Sequence, residues 1–243
     1  MIHYLVALDP AKTDPRNLNR SDVLRQSDRA SQLGFAYSVL EARGFFRSGA
    51  APELDLDRPP LLTWPFLDFI DSLDLQSQSL VELGSGSSTA WFAKRFRTVK
   101  SFETNPAWHR AVSAQVGAAA QVTLLDPKQL EAAEISYAGE EWLVVDFAGK
   151  RTRFLQNFFA RVPAPQRPSA VVLDNSDWYR NGAAILAGNK YVEIPFYGFK
   201  STQHWISCTS VFIDPERFRN VPKAPFFQPA LSRFTVNAWD AVD

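Results

Sequence analysis

Two glycines one residue apart end an apolar run in Val81-Glu82-Leu83-Gly84-Ser85-Gly86-Ser87-Ser88-Thr89, and a helical pattern begins at once. Glycine lets a backbone approach a ligand closely, and the free N–H groups at a helix start favour a negative group such as a carboxylate. The next apolar run ends in Phe102-Glu103, 17 residues beyond Gly86, where a carboxylate can accept both hydroxyls of a ribose. Strand, glycine turn, helix, strand and acid, in that order, are the pattern expected of a nucleoside-binding site. Three later runs also end in oxygen-bearing side chains, at Asp126, at Asp146 and at Asp174-Asn175. In a parallel sheet such ends lie on one edge, and oxygen ligands gathered there suit a hard divalent cation.

The kind of nucleoside turns on one position. A dinucleotide fingerprint needs Gly-x-Gly-x-x-Gly, and Thr89 stands where the third glycine belongs, so an NAD-dependent oxidoreductase is the weaker alternative. The stretch Glu82 to Thr89 resembles the first motif of the class I S-adenosylmethionine-dependent methyltransferases: an acid, a small or apolar residue, then Gly-x-Gly-x-(Ser/Gly). The resemblance runs from roughly Pro60 to Ile213. It implies a Rossmann-like fold and methyl transfer from S-adenosyl-L-methionine, in the general class of methyltransferases EC 2.1.1, to an oxygen of a small-molecule acceptor. It also implies that Gly84, Ser85, Gly86, Ser87 and Ser88 form the platform for the methionine moiety. Glu82 would orient that loop or meet the amino group, and Glu103 would hold the ribose. Asp126 falls where the adenine amine is contacted, Trp108 beside the adenine, and Asp146 beside the methyl group.

The order Asp146 then Asp174-Asn175, with the aspartates 28 positions apart, resembles the metal-dependent O-methyltransferases of the catechol type. This implies a Mg2+ or Ca2+ ion on Asp146, Asp174 and Asn175 that holds substrate oxygens and lowers the pKa of the attacking hydroxyl. The general-base lysine of that pattern falls at Gly149 here, with Lys150 next to it. Lys150 is therefore the candidate base, and Asp146 and His204 are the other catalytic candidates, histidine being readily tuned near neutral pH. The same acids can instead cap the helices that follow them. A non-catalytic nucleoside-binding module of the same fold is the alternative, because fold alone does not establish activity.

The elements that position these residues follow from periodicity. Short β-rich runs at 80–83, 99–103, 122–125, 142–146, 170–174, 191–195 and 207–213 alternate with helical stretches at 89–96, 106–116, 128–134, 151–161 and 178–187, the signature of βαβ units. The link between the last two strands, Phe196-Tyr197-Gly198-Phe199 and a polar turn, is too short for a crossover helix. The expected fold is an α/β three-layer Rossmann-like sandwich with a mostly parallel seven-stranded sheet and an antiparallel last strand. Ahead of it Thr63 would cap a helix with Pro65 in its first turn. Ser21 would cap another in which Val23, Ala30, Leu33, Tyr37 and Leu40 make an apolar stripe. The expected organisation is an N-terminal helical appendage or lid at 1–60, the methyltransferase-like domain at 61–213 and a tail at 214–243 packed on it.

Composition narrows the partners. The 243 residues carry 26 Lys plus Arg against 26 Asp plus Glu, so no net positive field exists to hold a phosphate backbone and no nucleic-acid partner is expected. Arg217, Arg219, Lys223 and Arg233 interleave with phenylalanines in the tail, a pattern read as tail packing. With one cysteine, Cys208, no intrachain disulfide can form, and His3, His109 and His204 are too scattered for a local zinc motif. No basic leader precedes the short apolar start and no run approaches the length of a membrane span, so the expectation is a cytoplasmic protein without signal peptide or membrane partner. The sequence leaves homo-oligomerisation open.

Overall fold

The computed structural model describes residues 59–201 and 206–220. The Ser21–Leu40 helix, the appendage before residue 59, the tail after residue 220 and His204 lie outside the described residues. Within them the order is α1 (Trp64–Asp71), β1 (Ser79–Leu83), α2 (Ser87–Ala93), β2 (Thr98–Glu103), α3 (Pro106–Val116), β3 (Gln121–Leu124), α4 (Pro127–Glu131), β4 (Trp142–Val145), α5 (Arg151–Arg161), β5 (Ala170–Asp174), α6 (Arg180–Gly188), β6 (Val192–Gly198) and β7 (Ser207–Ile213). None of these helices is long and apolar enough to cross a membrane.

The strands form one sheet in the order β3-β2-β1-β4-β5-β7-β6, parallel from β3 through β5, with β7 antiparallel to both its neighbours. The central strands are buried on both faces, which is why their sequences are continuous apolar runs. Alternate residues feed two cores. Leu80, Trp142, Val144 and Val172 meet Phe66, Ile70, Phe92 and Val112 on one face. Val81, Leu143, Val145 and Leu173 meet Phe154, Leu155, Phe158 and Leu186 on the other. Each large apolar side chain sealed this way contributes about 1.5–3 kcal/mol.

Two details differ from the sequence expectation. The aromatic segment expected as a loop continues β6, because Phe196, Tyr197 and Gly198 pair in register with Thr209, Cys208 and Ser207. Phe196 there packs on Phe69, with ring centroids 5.0 Å apart. Thr63 does precede α1, but its side chain does not cap it. The hydroxyl donates instead to the Phe196 carbonyl at 2.9 Å, tying α1 across the sheet to β6. Gly198 permits that approach, since a Cβ there would lie 2.7 Å from Pro65 Cδ.

Candidate functional site

The carboxyl edge of the sheet carries the glycine turn between β1 and α2. Gly84 sits at φ +90°, and a Cβ on it would come within 2.2 Å of the Asp146 carbonyl oxygen, so no other residue fits where β1 passes the end of β4. Glu82 is buried beneath the turn and accepts from Ser88 Oγ (2.5 Å), Thr89 Oγ1 (2.6 Å) and Ser101 Oγ (2.7 Å). Burial pushes its pKa up to about 7, although the three hydroxyls pull the other way. Glu82 thus pins the first turn of α2 to β1 and β2.

The turn's own amides are directed inward. Gly84 N–H donates to the Phe102 carbonyl (2.8 Å), Ser85 N–H to Glu103 Oε2 (2.9 Å) and Gly86 N–H to Thr89 Oγ1 (2.9 Å). In this structure the amides of Gly84, Ser85 and Gly86, expected as a ligand platform, all donate within the turn and its neighbouring strand. Those of Ser87 and Ser88, in the first turn of α2, have no acceptor within their helix, as helix geometry requires. Gly86 differs from Gly84 in leaving room. A Cβ there would meet only the Trp108 ring, at 3.8 Å.

Glu103 ends β2 directly beside this turn. Its Oε2 accepts from the amide and hydroxyl of Ser85 (2.9 and 3.0 Å), and its Oε1 from the amides of Thr104 and Asn105 (2.7 and 2.8 Å). Trp108 lies in the first turn of α3, which Asn105 caps through the amides of Ala107 and Trp108. The indole N–H donates to the Ser85 carbonyl, so the ring leans over the turn. Asp126 is exposed after β3 and caps α4, accepting from Lys128 N–H at 2.8 Å.

At the ends of β4 and β5 the acids are paired with cations of the chain. Arg151, at the start of α5, donates to Asp146 Oδ1 (2.7 Å), the Phe147 carbonyl (2.9 Å) and the Asp174 carbonyl (2.7 Å), and its guanidinium lies over the Tyr179 ring at 4.7 Å. Burial and the Asp174 carboxylate push the Asp146 pKa upward, while Arg151 holds it down. The Asp174 carboxylate faces β7 instead. It accepts from Thr209 Oγ1 at 2.6 Å and from Lys200 Nζ at 2.5 Å, all three residues being at most 2% exposed. Asn175 adopts a left-handed φ of 54°. With its amide oriented as its neighbours require, it donates to Asp174 Oδ2 (2.8 Å) and accepts from Lys200 Nζ (3.2 Å) and Ser207 Oγ (3.1 Å).

The proposed metal set of Asp146, Asp174 and Asn175 does not fit a divalent ion in this arrangement. Each acid already has a cation, and the two carboxylates engage different ones, Arg151 and Lys200. Among the described residues no three His, Cys, Asp or Glu side chains are grouped to hold a metal. Lys150, the expected base, is exposed at the N-terminus of α5, beside a cavity of about 530 Å³ shared with Lys128, Glu131 and Arg153. The lysine that reaches an edge aspartate is Lys200. It carries no local motif and is brought in only by the pairing of β6 with β7. Arg151 had a readable signal, a cation five residues after Asp146 at a helix start.

No protein-family model and no curated protein matches the chain. Solved structures do. Precorrin-6y C5,15-methyltransferase from Geobacter metallireducens GS-15 is 14% identical and aligns over 68% of this chain and 92% of its own, with a TM-score of 0.50. More distant are fibrillarin from Aeropyrum pernix, solved with natively bound S-adenosyl-L-methionine (12% identity, 57% and 67% covered, TM-score 0.45), and a dimethyladenosine transferase from Plasmodium falciparum (13%, 68% and 64%, 0.45). With its seven-stranded mixed sheet and antiparallel β7, the chain has the Rossmann-like α/β fold of the class I S-adenosylmethionine-dependent methyltransferases.

Proposed function

We propose that this protein is an S-adenosylmethionine-dependent methyltransferase that holds its cofactor between the glycine turn and Glu103 and acts on an oxygen of a small-molecule acceptor. The observation that carries the reading is the meeting of Glu103 with the turn: a buried carboxylate lies 2.9 Å from the Ser85 amide, next to a glycine where a Cβ would meet only the Trp108 indole, at 3.8 Å. Nothing in the chain's own packing demands glycine at position 86, whereas an approaching ligand does. Bound there, the cofactor supplies an already activated methyl group, so the protein's task is chiefly positioning.

In this reading Glu103 accepts the ribose hydroxyls, Trp108 flanks the adenine and the exposed carboxylate of Asp126 meets its amine. Glu82 keeps α2 in place, and Arg151 holds Asp146 at the methyl side. Zero net charge favours a small acceptor over a phosphate backbone. Titration calorimetry with S-adenosylmethionine and S-adenosylhomocysteine tests the reading: saturable binding is expected, and none at millimolar cofactor overturns it. A second reading, a nucleoside-binding module without catalysis, is favoured by the four protein donors that already fill Glu103. Cofactor binding without turnover on a broad panel of hydroxylated acceptors would select it.

A further inference from the structure

At the carboxyl end of β5, the buried Asp174, Thr209, Ser207 and Lys200 and the half-buried Asn175 form one polar cluster, and Lys200 is its cation. A buried ammonium is tolerated only where oxygens replace its lost hydration. Here Asp174 Oδ2 at 2.5 Å and the side-chain amide oxygen of Asn175 at 3.2 Å do so, the two oxygens that a metal at this position would use. The other Asp174 oxygen is held by Thr209, whose hydroxyl in turn accepts from the Thr63 amide at 3.1 Å, so the carboxylate is fixed from the α1 side as well. The lysine is itself anchored, because the carbonyl of the preceding residue, Phe199, accepts from the Trp64 amide at 2.9 Å.

We infer that Lys200 fills the cation position at the end of β5, so that this edge works with a built-in ammonium in place of a divalent metal and Lys200 acts as a positioning residue through Asp174 and Asn175. The inference rests on the proposed methyltransferase reading only in taking this edge for the acceptor side. A doubly charged ion could reach Asp174 only by entering beside the ammonium, and like charges a few Å apart in a buried site repel strongly. Lysine and metal are therefore mutually exclusive occupants.

The test is Mn2+ binding to the full chain, followed by electron paramagnetic resonance, for the wild type and for Lys200→Arg, Lys200→Met and Asp174→Asn. Wild type and Lys200→Arg, which keep the positive charge, are expected to leave Mn2+ free. Lys200→Met, which removes the charge but not the bulk, is expected to bind it roughly tenfold tighter or more, the scale on which one repelling charge acts. Wild-type binding that Asp174→Asn abolishes would overturn the inference even if Lys200→Met failed to fold. So would a folded Lys200→Met that behaves as Lys200→Arg does. Because the readout is taken on the cofactor-free protein, failure to bind S-adenosylmethionine would sink the proposed function and leave this result standing.

Discussion

Both the amide and the hydroxyl of Ser85 donate to the same oxygen of Glu103, at 2.9 and 3.0 Å, while the other oxygen takes two amides of the following turn. The acid that ends β2 is thus saturated by its own chain. A ribose can be accepted there only if a donor yields, and the Ser85 hydroxyl is the one that rotates away without moving the backbone. Ser85→Ala is expected to raise affinity for S-adenosylhomocysteine about fivefold, the worth of one hydrogen bond no longer to be broken. Calorimetry on the two proteins decides it. Unchanged or weaker binding would show that Glu103 does not have to release Ser85.

The two glycines of the turn separate fold from ligand. Gly84→Ala places a methyl group 2.2 Å from the Asp146 carbonyl oxygen at a φ of +90°, a clash with backbone that cannot swing aside. It is expected to lower stability by about 3 kcal/mol or more, in the range of severe core errors. Gly86→Ala meets nothing closer than the Trp108 ring at 3.8 Å, so its melting temperature should stay near wild type while cofactor binding is lost. A Gly86→Ala protein that still binds would move the cofactor away from this turn.

Glu82 makes stability depend on pH. Burial raises its pKa from 4.5 to about 7, so the fold holds the proton more tightly than the unfolded chain does. The resulting stabilisation is complete below about pH 4.5, fades between there and about pH 7, and is absent above. Glu82→Gln, uncharged throughout, loses that slope. Urea denaturation of both proteins at about pH 5 and pH 8 should show the variant gaining on the wild type by an amount on the order of 3 kcal/mol as pH rises. Parallel curves would mean that the three hydroxyls keep Glu82 ionised throughout.

Arg151 is the stitch between the ends of β4 and β5. Arg151→Met keeps the apolar stem but leaves the Asp146 carboxylate without its cation and two backbone carbonyls without a donor. A loss of about 3 kcal/mol is expected, as for other broken, partly buried pairs. The double variant with Asp146→Asn should recover part of it. Absence of recovery in the double-variant cycle would place the arginine's contribution in the two carbonyls alone.

Much of the fold was legible in the residue order because the buried parallel strands must be continuous apolar runs, and the helices between them carry their own periodicity. The seven strands were expected within three residues of where they lie, and α3 and α5 at their bounds. The glycine turn and the acid at the end of β2 were readable for the same local reason: short backbone geometry demands particular residue types at particular spacings. What the residue order did not reveal was how the polar groups at the sheet edge share their partners. That is decided by register across the sheet, where β6 and β7 pair so that Lys200 returns over β5 and Thr209 stands opposite Asp174. Spacing along the chain brought Asp146 and Asp174 to one edge. Only the tertiary structure showed each already paired with a cation, Asp174 in the interior and Asp146 at its margin, since a charge taken wholly or partly out of water needs a partner.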